Sequence, residues 1–271
     1  MVFQLPGLVI YDTIIQEHAV FNEKGRLYPT VEKRITVLNV KIDAVTMEQA
    51  VAKVENFIAN PGRCHLVATA NAEMVMMATN DPELHEILLK ADLVVADGAG
   101  VVWAARHQGN SVPERVAGYD LAQKLLDRSA QTGHKVYFFG GAPGVAEQAK
   151  KKAEEWYPGV DVVGVRNGFF STEDESKILE DIMNCRPDIL LVALGVPKQE
   201  KWLSKHFAEL HVPVAIGVGG TFDVMAGIMK RAPVWMQKAN LEWLFRLLMQ
   251  PQRLLRMLAL PKFVLRVLFN K

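Results

Sequence analysis

Short apolar runs alternate with amphipathic stretches from residue 34 to about residue 240. The runs are continuous rather than alternating in polarity, as is typical of strands that are covered on both faces of a parallel sheet. Strands are predicted at residues 65–69, 91–96, 136–139, 160–165, 189–193 and 214–217. Helices are predicted at residues 46–59, 71–79, 82–90, 99–107, 119–132, 143–156 and 198–210, with one more beginning at Thr172. The pattern predicts an α/β fold, a Rossmann-like parallel sheet with helices on both faces.

The two ends of the chain differ from this central body. Residues 1–33 have weak periodicity and are predicted to be an N-terminal extension. Residues 35–40 alternate in polarity and predict a strand, with residues 41–43 as the return arm of a small N-terminal β-hairpin. In the C-terminal part, Pro251 and Pro261 predict a tail of three short helices at residues 241–271. We therefore expect a body at residues 34–240 with a segment on either side.

Charge is nearly balanced over the whole chain, with 31 Lys and Arg residues against 30 Asp and Glu. This argues against nucleic acid as a partner, because nucleic-acid-binding proteins carry a clustered basic surface. The tail is different, since it has six basic residues against the single acidic Glu242, together with many Leu, Met and aromatic side chains. A basic amphipathic tail of this kind is typical of segments that lie on anionic membranes. The alternative is that the tail packs on the body or in a homo-oligomer.

Cysteine use and hydropathy indicate where the protein works. Cys64 and Cys185 form neither a disulfide framework nor a metal-ligand spacing, so we expect a reducing cytoplasm. No apolar run is long enough to span a bilayer, and the apolar stretch at residues 5–10 lacks the basic start and the cleavage site of a signal peptide. The expected location is the cytoplasm, with peripheral attachment to the inner face of the cell membrane through the tail.

Asp97 is the first candidate for chemistry. It follows the apolar run at residues 91–96 and precedes Gly98 and the predicted helix at residues 99–107. This position is the carboxyl end of a strand, where open α/β sheets bind ligands. The alternative is that Asp97 only caps the helix that follows it.

Glycines follow three other predicted strands, at Gly140-Gly141, at Gly195 and at Gly219-Gly220. Because parallel strands end at one edge of a sheet, these loops are expected to meet, and together they favour a phosphate-bearing ligand over simple tight turns. The Gly140 loop lacks the Lys-Ser or Lys-Thr of a P-loop, and no acidic residue ends the next strand to hold a ribose. A dinucleotide is weakly supported, and a nucleotide sugar fits the same geometry.

Positive charge for a diphosphate has to come from side chains, since no two aspartates stand two residues apart as in a metal-binding D-x-D motif. The tail supplies Arg246, Arg253 and Arg256, at steps of seven and three residues. This spacing predicts that they lie broadly on one helical face, from which guanidinium groups grip phosphate oxygens. The alternative is a solvated or membrane-facing basic stripe.

Several short segments together resemble one family. They are T-A-N at residues 69–71, A-D-G-A-G at 96–100, Arg115, F-G-G at 139–141, G-V-P-K-Q-E at 195–200, V-G-G-T-F-D at 218–223, R-A-P at 231–233 and N-L-E-W-L-F-R-L at 240–247. This set resembles the WecG/TagA/CpsF glycosyltransferases from about Arg34 to the early tail. Residues 1–33 fall outside the resemblance.

The resemblance implies an inverting, metal-independent glycosyltransferase domain at residues 34–240 that needs no cofactor. Members most similar in these motifs are teichoic-acid N-acetylmannosaminyltransferases, which implies transfer of N-acetylmannosamine from UDP-N-acetylmannosamine to N-acetylglucosamine on undecaprenyl diphosphate. It implies that Asp97 is the general base. The implied sugar-pocket contacts are Thr69, Asn71, Arg115 and Gln199. The implied UDP contacts are Gly140, Gly141, Gly219, Asp223, Arg246, Arg253 and Arg256. A lipid-linked acceptor would also give the tail a purpose, namely docking on the membrane and closure over the site.

Three alternatives stay open at this point. The same fold could transfer N-acetylmannosaminuronic acid or glucose, and Arg106, His107 and Arg115 offer cations for a uronate. The chain could instead be a nucleotide-dependent oxidoreductase that uses the Gly140 loop. It could also be a non-catalytic module that docks on a membrane, in which Asp97 only caps its helix.

Overall fold

A computed structural model describes residues 19–21, 27–29 and 33–269, with only the backbone described at residues 19–21, 27–29, 253 and 255. The chain divides into two compact units, residues 1–33 and residues 34–271. In the first unit, strands β1 (Ala19–Phe21) and β2 (Leu27–Pro29) pair antiparallel.

The second unit begins with the predicted hairpin, made of strands β3 (Arg34–Val37) and β4 (Val40–Asp43). The turn consists of Leu38 and Asn39, at φ values of 47° and 70°. A two-residue turn with both residues at positive φ matches the right-handed twist of the strands that it joins. The first strand therefore ends at Val37 rather than at Val40 as predicted, because the two turn residues reverse the chain.

The core of the second unit is a six-stranded sheet in which every pair is parallel, in the order β6-β5-β10-β9-β7-β8. The strands are β5 (His65–Ala70), β6 (Leu93–Ala96), β7 (Lys135–Gly140), β8 (Asp161–Arg166), β9 (Ile189–Ala193) and β10 (Val214–Gly217). Strands β5, β6, β9 and β10 are almost wholly apolar and buried. This is why the continuous apolar runs in the sequence predicted them correctly.

Helices connect these strands at nearly the predicted positions. They are α1 (Met47–Ala59), α2 (Ala72–Ala78), α3 (Pro82–Lys90), α4 (Ala99–His107), α5 (Gly118–Thr132), α6 (Val145–Trp156), α7 (Glu175–Cys185), α8 (Lys198–His206), α9 (Thr221–Met225) and α10 (Val234–Lys238). Local signals set several ends: Thr46 and Gln49 form a capping box on α1, and Asp81 with Pro82 begins α3. Thr172 opens a 3₁₀ turn before α7 rather than an α-helix.

The connections around β7 and β9 create a crevice. These strands are neighbours, but the chain leaves β7 towards β8 and leaves β9 towards β10. Helices α6 and α8, which follow them, lie on opposite faces, since Ala149 belongs to one apolar cluster and Leu203 to the other. Ligands of open α/β sheets bind outside the carboxyl ends of strands at such a switch point.

The tail continues the second unit with helices α11 (Glu242–Met249), α12 (Leu254–Met257) and α13 (Ala259–Phe269). Pro251 interrupts it as predicted, at a 3₁₀ turn. The prediction of three short helices is confirmed: the break between α12 and α13 comes just before Pro261, which lies in the first turn of α13, where its missing N–H has no intrahelical partner to lose. Helix α13 packs on α2 and α4 and buries Phe263 and Val267 in the core. Within the described part of the chain, no helix is long and apolar enough to cross a membrane.

Candidate active site at the carboxyl edge of the sheet

Asp97 follows β6, and its side chain bonds to the start of α5 rather than to α4, the helix that follows it in the chain. The N-cap of α4 is Gly98, which makes no side-chain capping bond. Instead the Asp97 Oδ1 accepts a hydrogen bond of 3.1 Å from the backbone N–H of Gly118, the first residue of α5. The interpretation that Asp97 merely caps the helix after it is therefore wrong.

Burial raises the pKa of the Asp97 carboxyl above its ordinary value. Arg246, the hydrogen bond from Gly118 and Arg115 each lower this pKa, and Glu242 raises it further, but burial is the largest influence. A carboxylate whose pKa is raised accepts a proton more readily, and catalysis by a general base is most effective when its pKa approaches the working pH. The site thus holds a carboxyl group whose ionised form is disfavoured by burial, with Arg115 and Arg246 near it.

Two predicted sugar contacts lie beside Asp97. The Thr69 hydroxyl donates to the Gly217 carbonyl at 2.9 Å, and a Cβ on Gly118 would approach Thr69 within 3.0 Å. Asn71 caps α2 by accepting from the Met74 N–H at 2.9 Å, and its Cβ lies 3.1 Å from where a Cβ on Gly98 would stand. The ends of β5 and β6 therefore bring Thr69, Asn71 and Asp97 together, and glycine at positions 98 and 118 allows this close approach.

The third predicted sugar contact, Arg115, faces the tail. Its guanidinium donates to the carboxylate of Glu242, the first residue of α11. Arg246, one turn further along α11, is close enough to Asp97 to lower the pKa of its carboxyl. The structure thus brings the beginning of the tail to the same place as Asp97.

The tail arginines do not share one helical face as predicted. Arg246 is on α11, Arg253 ends the 3₁₀ turn and Arg256 is on α12, because the turn at Pro251 redirects the chain between them. The Arg256 Nε lies 3.8 Å from the Glu73 Oε1 on α2. The side chain of Arg253 lies outside the described part of the structure.

Gln199, the fourth predicted sugar contact, is only 1% exposed and holds two loops together. Its Oε1 accepts from the N–H groups of Gly195 at 3.2 Å and Gly219 at 3.0 Å, and its Nε2 donates to the Glu200 Oε1 at 2.7 Å. The structure places it beneath the loops that follow β9 and β10. A direct contact between Gln199 and a sugar stays a prediction.

A cavity of about 860 Å³ opens at the crevice between β7 and β9. Its lining includes Gly141 and Asp223, two of the predicted UDP contacts. Gly140 packs so tightly on β9 that a Cβ would stand 2.3 Å from the Ala193 carbonyl oxygen, which only glycine permits. The N–H groups of Gly141 and Gly219 already donate to Ala193 and Gln199, so these glycines allow close packing rather than offer free donors.

Three lysines of α8 also line this cavity, and sequence reasoning missed them. Lys198, Lys201 and Lys205 follow one another at steps of three and four residues, which places them on one helical face. This spacing was visible in the sequence. Lys201 pairs with Asp81 and Glu83, and Lys205 pairs with Glu175. The cavity therefore has a wall of charged side chains of both signs beside its glycine-rich wall.

Among the described residues, no three His, Cys, Asp or Glu side chains come together as a possible metal site. The cations that the described residues bring to the sheet edge are arginines and lysines. Any diphosphate at this edge would meet guanidinium and ammonium groups.

Glu200 has an unusual environment for a carboxyl group. It is 1% exposed, and its Oε2 has no hydrogen-bond partner. Burial raises its pKa to about 7, against a smaller lowering by the hydrogen bond from Gln199. Its ionised form is therefore costly in the folded protein.

The stability of the protein should fall as the pH rises through the titration of Glu200. Because the folded-state pKa is raised, the folded protein binds this proton more tightly than the unfolded chain, so its stabilising effect is complete below about pH 4.5 and is lost by about pH 7. The loss amounts to about 3 kcal/mol of unfolding free energy. Chemical denaturation of wild type and Glu200→Gln between pH 4.5 and 8 measures it. A difference between the two proteins that stays constant with pH would contradict the assignment.

An open parallel α/β sheet with a buried carboxylate, a crevice at its switch point and arginines of the tail at one edge fits an enzyme that acts on phosphorylated substrates. The chain belongs to the glycosyl transferase WecG/TagA/CpsF family, whose family model matches residues 35–271. It is therefore a glycosyltransferase, as the motif resemblance implied.

Relatives with assigned names cover most of the chain. A Bacillus spizizenii protein is 35% identical over 218 residues, which is 80% of this chain and 84% of the relative. A Bacillus subtilis protein is 34% identical over 75% of this chain and 78% of its own length, and a Staphylococcus aureus protein is 34% identical over 88% and 95%. All three are named N-acetylglucosaminyldiphosphoundecaprenol N-acetyl-beta-D-mannosaminyltransferase.

Proposed function

We propose that this glycosyltransferase moves N-acetylmannosamine from UDP-N-acetylmannosamine to N-acetylglucosamine on undecaprenyl diphosphate, with inversion and without a metal ion. The product would serve as the linkage unit of wall teichoic acid or a related surface polysaccharide. The names of the relatives support the substrates. The observation that carries the mechanism is Asp97, a carboxylate with a raised pKa at the sheet edge, with Arg115 and Arg246 near it.

The reaction is a single displacement. Asp97 removes the proton from the 4-hydroxyl of the acceptor sugar while that oxygen attacks the anomeric carbon of the donor. The bond between the anomeric carbon and the diphosphate oxygen breaks, and UDP leaves with the negative charge. General base assistance is worth about 10²–10⁴-fold in rate. Arginines that face the developing charge stabilise it as a metal ion would.

The donor nucleotide fits the crevice between β7 and β9. The cavity of about 860 Å³ lies within the size range of small-molecule sites, about 300–1,000 Å³. The predicted UDP contacts Gly140, Gly141 and Asp223 belong to this crevice, with Gly219 on the adjoining loop, and Lys198 of α8 would supply charge for the diphosphate. The sugar of the donor would then extend towards β5 and β6, where Thr69, Asn71 and Asp97 meet.

The lipid-linked acceptor gives the tail its role in this proposal. Large apolar side chains of the tail are exposed: Leu248, Met249, Leu254, Leu258, Val264, Leu265, Leu268 and Phe269. They alternate with Arg and Lys residues that favour anionic lipids, at about 1 kcal/mol per basic residue near the surface. The tail would hold the enzyme on the inner face of the membrane, where the acceptor lies. Assembly into a homo-oligomer stays a prediction.

The test is an assay of UDP release with purified protein, a short-chain lipid-diphosphate-N-acetylglucosamine acceptor and EDTA. We expect acceptor-dependent release from UDP-N-acetylmannosamine, at a rate that EDTA does not change. Parallel reactions receive UDP-N-acetylmannosaminuronic acid or UDP-glucose. Faster release from either of these would replace the proposed donor, and loss of release in EDTA that added Mg²⁺ restores would contradict metal independence.

A further inference from the structure

Two motif segments, R-A-P at residues 231–233 and the segment that begins the tail, contain charged residues without an assigned role. Glu242 begins α11, and its Oε2 accepts from the Arg115 guanidinium while its Oε1 lies 3.7 Å from the Arg231 Nε. The side chains of Glu242 and Arg115 are each 23% exposed. One carboxylate of the tail thus lies between two arginines of the body, where solvent screens the ion pairs only in part.

Arg231 is itself fixed to the body. Its Nη1 and Nη2 each bond to one carboxylate oxygen of Asp120 at 2.7 Å, and its guanidinium lies 4.7 Å from the centre of the Tyr119 ring. A two-pronged bond of this kind fixes the guanidinium in direction as well as in place. Tyr119 and Asp120 directly follow Gly118, whose N–H binds Asp97. Arg231, which contacts Glu242, is therefore bound to the same turn of α5 that carries Gly118, the partner of Asp97.

Helix α11 is shallowly packed, with Leu244, Phe245 and Leu247 only half-buried. None of its eight residues, all of which the structure describes, is buried. Helix α13 differs, since Phe263 and Val267 anchor it in the core. The ion pairs of Glu242 with Arg115 and Arg231 therefore add polar contacts that join this shallow helix to the body. Arg246 stands four residues after Glu242 and so on the same face of α11.

We propose that Glu242 is a positioning residue, whose carboxylate between Arg115 and Arg231 holds α11 on the body and so places Arg246 at Asp97. Its effect on the reaction rests on the proposed function, and its effect on α11 does not. The opposite role would be inhibition, in which Glu242 occupies Arg115 and keeps it from the substrate. The two roles predict opposite changes in rate when the carboxylate is removed.

The experiment compares Glu242→Gln, Arg246→Gln and the double variant in the UDP-release assay. A misplaced catalytic group costs about 100-fold in rate. We expect kcat to fall about 100-fold in Glu242→Gln and the double variant to be no slower than Arg246→Gln, because Glu242 acts through Arg246. The matched control is Glu86→Gln, which breaks the exposed pair of Glu86 and Lys90 on α3, at 3.0 Å, and should leave kcat unchanged.

Hydrogen–deuterium exchange gives a second readout that needs no substrate. Backbone amides of residues 243–250 should exchange faster in Glu242→Gln than in wild type or Glu86→Gln, while the sheet strands stay protected and the melting temperature changes little. If wild type transfers no sugar, the proposed function fails, and exchange alone decides whether Glu242 holds α11. Unchanged exchange, a rise in kcat, or losses that multiply in the double variant would each overturn the proposal.

Discussion

Asp97→Asn should lower kcat for sugar transfer about 10²–10⁴-fold, because the amide cannot take the proton of the acceptor hydroxyl. The fold should survive, since the amide oxygen can still accept from the Gly118 N–H. Burial raises the pKa of Asp97 in the folded protein, so ionisation of this carboxyl opposes folding, and the variant should melt no lower than wild type. UDP release and thermal melting measure the two effects.

The matched control for this variant is Asp127→Asn, an exposed carboxylate on α5. It should leave the rate unchanged. In wild type the rate should fall on the acid side of the pH profile as Asp97 becomes protonated, at a pH above the ordinary range of an aspartate. A folded Asp97→Asn protein that transfers sugar at the wild-type rate would remove Asp97 from the mechanism.

Arg246→Gln should lower kcat about 10²-fold, which is the typical cost of removing one group that stabilises developing charge. Arg246 is the cation with the largest effect on the Asp97 carboxyl, so its loss should also move the acid limb of the pH profile upwards. Rates are measured with a water-soluble acceptor, so that membrane attachment does not enter. Binding to anionic vesicles is followed separately.

Arg266→Gln on α13 is the control for Arg246→Gln. Arg266 donates to the Thr79 hydroxyl at 2.6 Å, away from Asp97, and its loss should leave kcat unchanged. Deletion of residues 241–271 is a poorer test, because it would remove Phe263 and Val267 from the core and expose the surface that they cover. Equal losses in Arg246→Gln and Arg266→Gln would show that tail charge, rather than the position of Arg246, matters.

Much of the fold could be predicted because its signals are local. Continuous apolar runs such as Ile189–Ala193 belong to strands buried on both faces, and Asp81 before Pro82 is a local signal for the start of a helix. The failures have local causes too. The first strand of the hairpin was predicted to run to Val40, but Leu38 and Asn39 adopt positive φ and reverse the chain, which the polarity pattern does not reveal.

The site was harder to predict because its contacts join distant parts of the chain. Asp97 could be selected from its position after a strand, yet its bond to Gly118 spans 21 residues. The pair of Arg115 and Glu242 spans 127 residues, and nothing in the sequence links these two positions. The burial of Gln199 could not be foreseen either, because it depends on the packing of two loops that follow separate strands.

Product analysis tests the central claim most directly. The lipid-linked product of wild-type enzyme, UDP-N-acetylmannosamine and the N-acetylglucosamine acceptor is isolated and examined by mass spectrometry and NMR. The account predicts one added N-acetylhexosamine on the 4-hydroxyl of the acceptor sugar, with the anomeric configuration opposite to that in the donor. A product with the donor configuration, or free N-acetylmannosamine with an unmodified acceptor, would contradict it.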